Sequence, residues 1–276
     1  MTLFDAFGYN GKRALVVGAA TGMGAALAEL VQDAGAEVVV MDIAECSLAG
    51  ASEVRVDLAD RASIDAAVDQ LNGPLDAVFL CAGVADGTAG IEKINFIGHR
   101  YLIDHFLAVD ALPPGSAIAF ISSAAGLGWE ADLELLSEYL DVTDFERAAQ
   151  WAVEHGKADY MWSKEAVCAY VARQAFPLLK RGIRINAICP GPTDTPLARA
   201  NAETWLGFGA DYRSELHIQP STPLEQAYPL AFLCSDAAAA LNGVTLISDV
   251  GYISSGLTGS YPSATPVAQF ITGKLR

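Results

Sequence analysis

The sequence predicts an α/β fold in which a doubly wound parallel sheet is covered by helices on both faces. Three observations predict it. Seven short apolar runs are spaced along the chain, stretches of helical period separate most of them, and the first run ends in a glycine-rich turn that opens a helix. Strands that read as continuous apolar runs are buried on both sides, which in a parallel sheet is the work of the crossover helices.

The first run is Ala14-Leu15-Val16-Val17, and Gly18-Ala19-Ala20-Thr21-Gly22-Met23-Gly24 follows it. Leu27, Leu30, Val31 and Ala34 then recur at helical spacing, and Gly35 stops the helix before a second run, Val38-Val39-Val40-Met41, that ends on Asp42. A strand, a turn that admits close backbone approach and a helix whose N-terminus points at the turn make an anion site for a pyrophosphate, the Rossmann-type unit. Asp42 falls 24 residues after Gly18, close to the distance at which an acid meets the ribose hydroxyls. A carboxylate there accepts hydrogen bonds from the free diol and repels a 2′-phosphate. The expected cofactor is therefore NAD(H) rather than NADP(H), and no Lys or Arg lies between Arg13 and Arg55 to argue otherwise.

Residues 53–58 alternate and suggest a third strand ending at Asp57-Leu58, and Ile64, Ala67, Val68 and Leu71 mark a helix broken by Asn72-Gly73-Pro74. Ala77-Val78-Phe79-Leu80-Cys81 is the fourth strand and runs into Ala82-Gly83. A loop over 84–93 precedes a helix over about 96–110, and Ala117–Ile121 is the fifth strand, finishing in Ser122-Ser123. Residues 129–155, rich in Glu, Asp, Leu and Ala, suggest a helical insertion off the sheet. Tyr160–Leu179 reads as a long helix with Pro177 in its last turn, and Arg184–Cys189 as a sixth strand meeting Pro190-Gly191-Pro192. Residues 193–220 have no sustained period and read as a partly helical flap. Leu224–Leu233 is a helix and Val244–Asp249 the seventh strand. The tail from Ser254 is rich in Gly, Ser, Thr and Pro until Val267, with Phe270 and Ile271 expected to dock against a neighbour. No repeat or linker interrupts the chain, so one catalytic domain over residues 1–276 is expected.

Composition limits the function. The chain has 276 residues, 52% of them hydrophobic, and a net charge of −16 from 33 acids and 17 bases with no basic cluster. Nucleic-acid binding, which depends on phosphate neutralisation, is disfavoured, as is an anionic membrane surface. Cys46, Cys81, Cys168, Cys189 and Cys234 have no ligand spacing and read as core residues in a reducing compartment. With no leader pattern at the N-terminus and no apolar run of spanning length, a cytoplasmic protein is expected. His99, His105, His155 and His217 form no cluster along the chain, so no metal is expected.

Hydride transfer to a carbonyl leaves an alkoxide that needs a proton, and the reverse reaction needs that proton removed. Tyr160 and Lys164 lie on one helix face at i,i+4, where an ammonium would lower the phenol's pKa. Ser122 and Ser123 sit at the C-terminal end of a parallel strand, where ligands bind in open α/β sheets. Strand alternation puts the two on opposite faces, so only one should reach the ligand.

Taken together, these motifs resemble the short-chain dehydrogenase/reductase family in its classical form, from Gly11 to about Gly251. Beside Asp42, already placed by its spacing, the resemblance implies a dinucleotide held by Gly18, Thr21, Gly22, Met23 and Gly24, by Asp57 with Leu58, by Cys81-Ala82-Gly83, by Tyr160 and Lys164, and by Pro190, Gly191, Thr193 and Thr195. It implies Asn95, Ser123, Tyr160 and Lys164 as the catalytic set. Tyr160 is the acid or base, Ser123 orients the substrate oxygen, Lys164 holds the nicotinamide ribose, and Asn95 positions a relay water. Two residues depart from the family pattern: Cys81 stands where relatives carry Asn, and Ser248-Asp249-Val250-Gly251 where many carry Asp-Gly-Gly. The long separation of Ser123 from Tyr160 is similar to the subgroup with bacterial 3α-hydroxysteroid dehydrogenase/carbonyl reductase and coniferyl-alcohol dehydrogenase, and implies a homodimer or homotetramer acting on a small hydrophobic alcohol or ketone. Leu127, Trp129 and the flap aromatics either line an apolar pocket or belong to the core, and the sequence leaves both open. The rival readings are the same scaffold acting on sugars, cyclic diols or acyl thioesters, with Arg199 and Arg213 as the candidate cations, and a dinucleotide-binding protein without catalysis.

Overall fold

The computed structural model describes residues 2–275. Seven parallel strands form one sheet in the order β3-β2-β1-β4-β5-β6-β7: β1 Arg13–Val17, β2 Glu37–Asp42, β3 Ser52–Arg55, β4 Ala77–Leu80, β5 Ala117–Ile121, β6 Arg184–Pro190 and β7 Thr245–Ser248. The short helix α1, Leu3–Phe7, precedes β1 and is closed by a capping box between Thr2 and Asp5. The helices α2 Gly22–Asp33, α3 Arg61–Asp69 and α4 Gly98–Ala108 connect the first five strands. Between β5 and β6 come α5 Leu133–Asp141, α6 Phe145–Glu154 and α7 Tyr160–Leu179. Beyond β6 lie the short helices α8 Pro196–Ala200, α9 Ala202–Trp205 and α10 Ala210–Leu216, then α11 Pro223–Cys234, and after β7 come α12 Tyr252–Thr258 and α13 Thr265–Ile271.

Alternation along β1 divides the core. Leu15 and Val17 face a layer built from α3, α4 and α7, through residues such as Ile64, Phe106 and Val167. Ala14 and Val16 face the opposite layer, where Leu27 and Val31 of α2 meet Leu230 and Leu233 of α11. Each strand residue is thereby covered on its own side. The chain winds outward from β1 in both directions, since β1 pairs with β2 on one side and β4 on the other. That reversal opens a crevice at the strands' C-terminal ends, where open α/β sheets bind their ligands.

Three elements differ from the sequence expectations, and the helical insertion gains detail. The third strand stops at Arg55, because its partner β2 ends at Asp42; Val56 makes one further bond, donating its N–H to the Asp42 carbonyl at 2.9 Å, and Val56 and Leu58 then turn into the core. The helix expected over 96–110 begins with a π-helical turn, Lys93–Ile97, ahead of α4. Residues 129–155 hold two helices, α5 and α6, that pack against each other and, through α5, on α7. The tail is helical where its composition reads as turn: Gly251 (φ 85°) and Gly259 (φ 72°) supply left-handed caps at the two ends of α12. Ile271 is buried against its own chain rather than docked on a neighbour.

Candidate active site

The glycine turn after β1 is shaped by backbone proximity. Gly18 has φ 86°, and a Cβ there would overlap the backbone of Ala82; one at Gly24 would overlap the Gly18 carbonyl. Gly22 (φ 61°) opens α2, whose N-cap Thr21 makes no side-chain capping bond, so the first amides of this twelve-residue helix are not capped by it. Asp42 closes the turn from the next strand: Oδ2 accepts from the Ala20 N–H at 2.9 Å and Oδ1 from the Ala44 N–H at 3.0 Å. Asp57 is fixed in a similar way, its Oδ1 accepting from the Ala59 N–H at 2.9 Å while its own N–H donates to Ser63 Oγ at 2.9 Å. The Leu58 side chain packs in the core.

Cys81, Gly83 and Met23 line one cavity of about 360 Å³ together with Pro190, Gly191, Thr193 and Thr195. Burial pushes the Cys81 thiol up, so it stays protonated. His99 lies behind Ala82, with Nε2 3.0 Å from its carbonyl, and burial lowers this imidazole to about 4. Thr193 Oγ1 donates to the Gly191 carbonyl at 3.0 Å, and Thr195 Oγ1 accepts from the Ala198 N–H at 3.1 Å, capping α8.

On the other side of the same cavity β5 ends in the two serines. Ser122 turns inward, its Oγ donating to the Lys164 carbonyl at 2.8 Å and lying 3.2 Å from Cys168 Sγ. Ser123 turns into the cavity, where its hydroxyl accepts from the Ala125 N–H at 3.2 Å and lies near enough to the Tyr160 phenol to lower its pKa. Asp159 caps α7 by accepting from the Trp162 N–H at 2.8 Å, which puts Tyr160 at the first helical position and Lys164 one turn on. Asp86, at the cavity mouth, accepts the Tyr160 N–H at 2.7 Å.

Lys164 is 4% exposed and donates from Nζ to the Ile121 carbonyl at 3.0 Å, with Nζ 5.5 Å from the centre of the Tyr160 ring. Burial lowers its pKa to about 8, and burial pushes the Tyr160 phenol up to about 12, against the opposing pull of the nearby Ser123 hydroxyl. The lysine was expected to depress the phenol; here its ammonium is drawn to Ile121 and desolvation of the phenol prevails. Asn95 is 1% exposed within the π-helical turn. Its Oδ1 accepts from the Val84 N–H at 2.8 Å, and its Nδ2 donates to the Val84 carbonyl at 3.0 Å and to Ser163 Oγ at 3.2 Å. A Cβ on Gly83 would lie 3.5 Å from both Asn95 Oδ1 and Lys164 Nζ, so the glycine keeps open the space between them.

The substrate wall comes from the flap and tail. Leu197, Trp205 and Phe208 line the cavity with Ile271, and the Trp205 ring lies 4.9 Å from that of Tyr160. Leu127 packs in the tail cluster and Trp129 on the main core, so both belong to packing rather than to the pocket. Reading the sequence missed Asp86 and Ile271. An acid just past the fourth strand was a usable signal for the first; the isolated apolar pair Phe270-Ile271 was the only one for the second. Among the described residues no group of three or more His, Cys, Asp or Glu could hold a metal, and no helix is long and apolar enough to cross a membrane.

This combination, a glycine cradle that a Cβ would fill, an acid beside it and a Ser-Tyr pair facing an apolar wall, defines a dinucleotide-dependent oxidoreductase. Residues 14–152 match the family model described as the NAD dependent epimerase/dehydratase family, and residues 142–253 the model described as Enoyl-(Acyl carrier protein) reductase. Coniferyl-alcohol dehydrogenase of a Pseudomonas species is 31% identical over 251 residues, covering 88% of this chain and 97% of that one. Cis-4-hydroxycyclohexanecarboxylate dehydrogenase of Sinomonas cyclohexanicum is 32% identical over 261 residues, covering 87% and 95%. The crystal structure of 3-alpha-hydroxysteroid dehydrogenase from Pseudomonas sp. B-0831 with NADH superposes with a TM-score of 0.71 at 27% identity, covering 90% of this chain and 98% of that one. The chain belongs to the short-chain dehydrogenase/reductase family and has its NAD(H)-binding fold.

Proposed function

We propose that the protein interconverts a hydrophobic secondary or allylic alcohol and its carbonyl compound, using NAD(H) in preference to NADP(H). The observation that carries this reading is that Ser123 and Tyr160 face one cavity walled by Leu197, Trp205, Phe208 and Ile271, with the Trp205 ring 4.9 Å from that of Tyr160. Bound NAD(H) would supply or accept the hydride. In reduction the neutral Tyr160 phenol gives its proton to the carbonyl oxygen and becomes a phenolate, and Ser123 holds that oxygen beside it; in oxidation the phenolate form takes the alcohol proton and returns to the phenol. Lys164 offers a cation at the ribose side, and Asn95 Oδ1, with a lone pair left after Val84, can accept from a water between itself and Lys164.

Asp42 supports the NAD(H) preference, since its oxygens are already aimed at the turn by the Ala20 and Ala44 amides. The dehydrogenases for coniferyl alcohol and 3α-hydroxysteroids among the similar proteins support an aromatic or steroid-type substrate. A thioester of a polyanionic carrier is less well served. Arg199 is paired with Asp194 at 2.6 and 2.8 Å, and Arg213 is buried with its guanidinium on the Leu206 and Phe208 carbonyls. We read residues 1–276 as one catalytic domain. The edge strand β7, with Leu246 and Ile247 partly exposed, supports a homodimer or homotetramer, and five free cysteines support a reducing cytoplasm.

Initial rates of nicotinamide reduction with NAD⁺ and then NADP⁺, across 3α-hydroxysteroids, coniferyl-type alcohols, cyclic diols and simple secondary alcohols, test the reading. Turnover of an aromatic or steroid alcohol with NAD⁺ is expected. Preference for NADP⁺, or for a sugar, would overturn it.

A further inference from the structure

The mouth of the cavity carries a carboxylate. One acidic and one basic side chain line the cavity among the described residues, Asp86 and Lys164. Lys164 is buried on the far side of Tyr160 and its Nζ is bonded to the Ile121 carbonyl, so it has little to offer a substrate's remote end. Asp86 is exposed at the mouth and held there by the Tyr160 N–H at 2.7 Å. The two arginines of the flap are engaged elsewhere, Arg199 by Asp194 and Arg213 by backbone carbonyls. An anionic group entering this cavity therefore meets a fixed carboxylate, an apolar wall and no free cation.

We propose that Asp86 is a specificity-determining residue that restricts the site to uncharged alcohols and ketones and rejects substrates carrying a carboxylate. The inference rests on the alcohol–carbonyl reading above and names the substrate's charge class within it. The field of Asp86 reaches the reacting group, because its charge adds to the burial that holds the Tyr160 phenol up. Rejection of this kind is repulsive selection: the competitor loses its hydration and gains no partner. Because the carboxylate is solvent-exposed, the discrimination is moderate and screened by salt.

The test compares cyclohexanol with its 4-carboxylate as a matched pair, using the intact enzyme with NAD⁺. The wild type is expected to favour the neutral alcohol by about tenfold or more in kcat/KM, Asp86→Asn to bring the pair within about threefold, and Asp86→Glu to keep the preference. Raising the salt concentration should narrow the wild-type ratio. Titration of tryptophan fluorescence with the same pair, Trp205 being in the wall, reads the preference even without turnover, so a failed alcohol dehydrogenase reading and a failed charge reading give separate results. Equal handling of the two compounds by the wild type, or an unchanged ratio in a folded Asp86→Asn protein, would overturn the proposal.

Discussion

The two halves of the cavity are built by different means. On the cofactor side the shape comes from backbone: Gly18 and Gly24 let β1, the Ala82 loop and α2 approach to distances no side chain permits, and Asp42 is locked by two amides. On the substrate side it comes from side chains on short helices. Phe208 packs edge-on to Tyr252 at 5.1 Å, Tyr212 packs on Tyr252 and on Tyr261, and Ile271 closes the wall from α13. A backbone cradle tolerates no variation in residue type, whereas an aromatic cluster can be rebuilt with other residues at the same volume. The cofactor half should therefore fail abruptly when altered and the substrate half by degrees.

Gly18→Val is the sharpest way to break the first half. Its side chain would meet the Ala82 backbone in a left-handed conformation that valine strongly disfavours, and NADH affinity, read by fluorescence titration, should fall by more than about a hundredfold. Asp42→Ala tests the same half more gently: the protein stays folded and the ratio of NAD⁺ to NADP⁺ kcat/KM drops by about ten- to a hundredfold, as a carboxylate facing a phosphate is removed. An unchanged ratio would take Asp42 out of cofactor selection.

In the substrate half, Ile271→Ala should raise KM for a preferred alcohol by about tenfold and leave the NADH dissociation constant within about twofold, since trimming a pocket wall by a few methylenes carries roughly 1–3 kcal/mol of discrimination. A matching loss of NADH affinity would mean that the tail braces both halves.

The smallest effect concerns Lys164, whose pKa is lowered from 10.5 to about 8 by burial. Between those values the unfolded chain binds more protons than the folded one, so this group's contribution to stability rises with pH across that window, and its full cost is present below about pH 8. Lys164→Met should thus melt higher relative to wild type at pH 7 than at pH 10, with the gap differing by a few degrees. A pH-independent gap would show that the ammonium is better solvated than its burial implies.

The contrast also explains what the sequence could show. Parallel strands buried on both faces announce themselves as apolar runs, and a turn that requires Gly18, Gly22 and Gly24 at fixed places is legible residue by residue. Ser123, Tyr160, Lys164 and Asn95 come together because the end of β5 and the starts of two helical segments converge at one sheet end, which the order of elements already implies. The tail was not legible. Residues 252–271 have turn-like composition, and their helices exist because Ala264 and Ala268 leave room for Gly256 to pack closely; that contact appears only when the chain is folded. The Lys164 contact was hidden for a related reason: spacing places Lys164 beside Tyr160 on α7, but the carbonyl that takes its ammonium belongs to β5.

In the proposed mechanism Tyr160 transfers the proton, and the glycine cradle on the cofactor side stands apart from it. Tyr160→Phe is the direct measurement, with kcat and NADH affinity determined on the same preparation. The account predicts a fall in kcat of about a thousandfold or more with NADH binding within about twofold of wild type. Activity within about tenfold of wild type would contradict it and assign the proton transfer to another group.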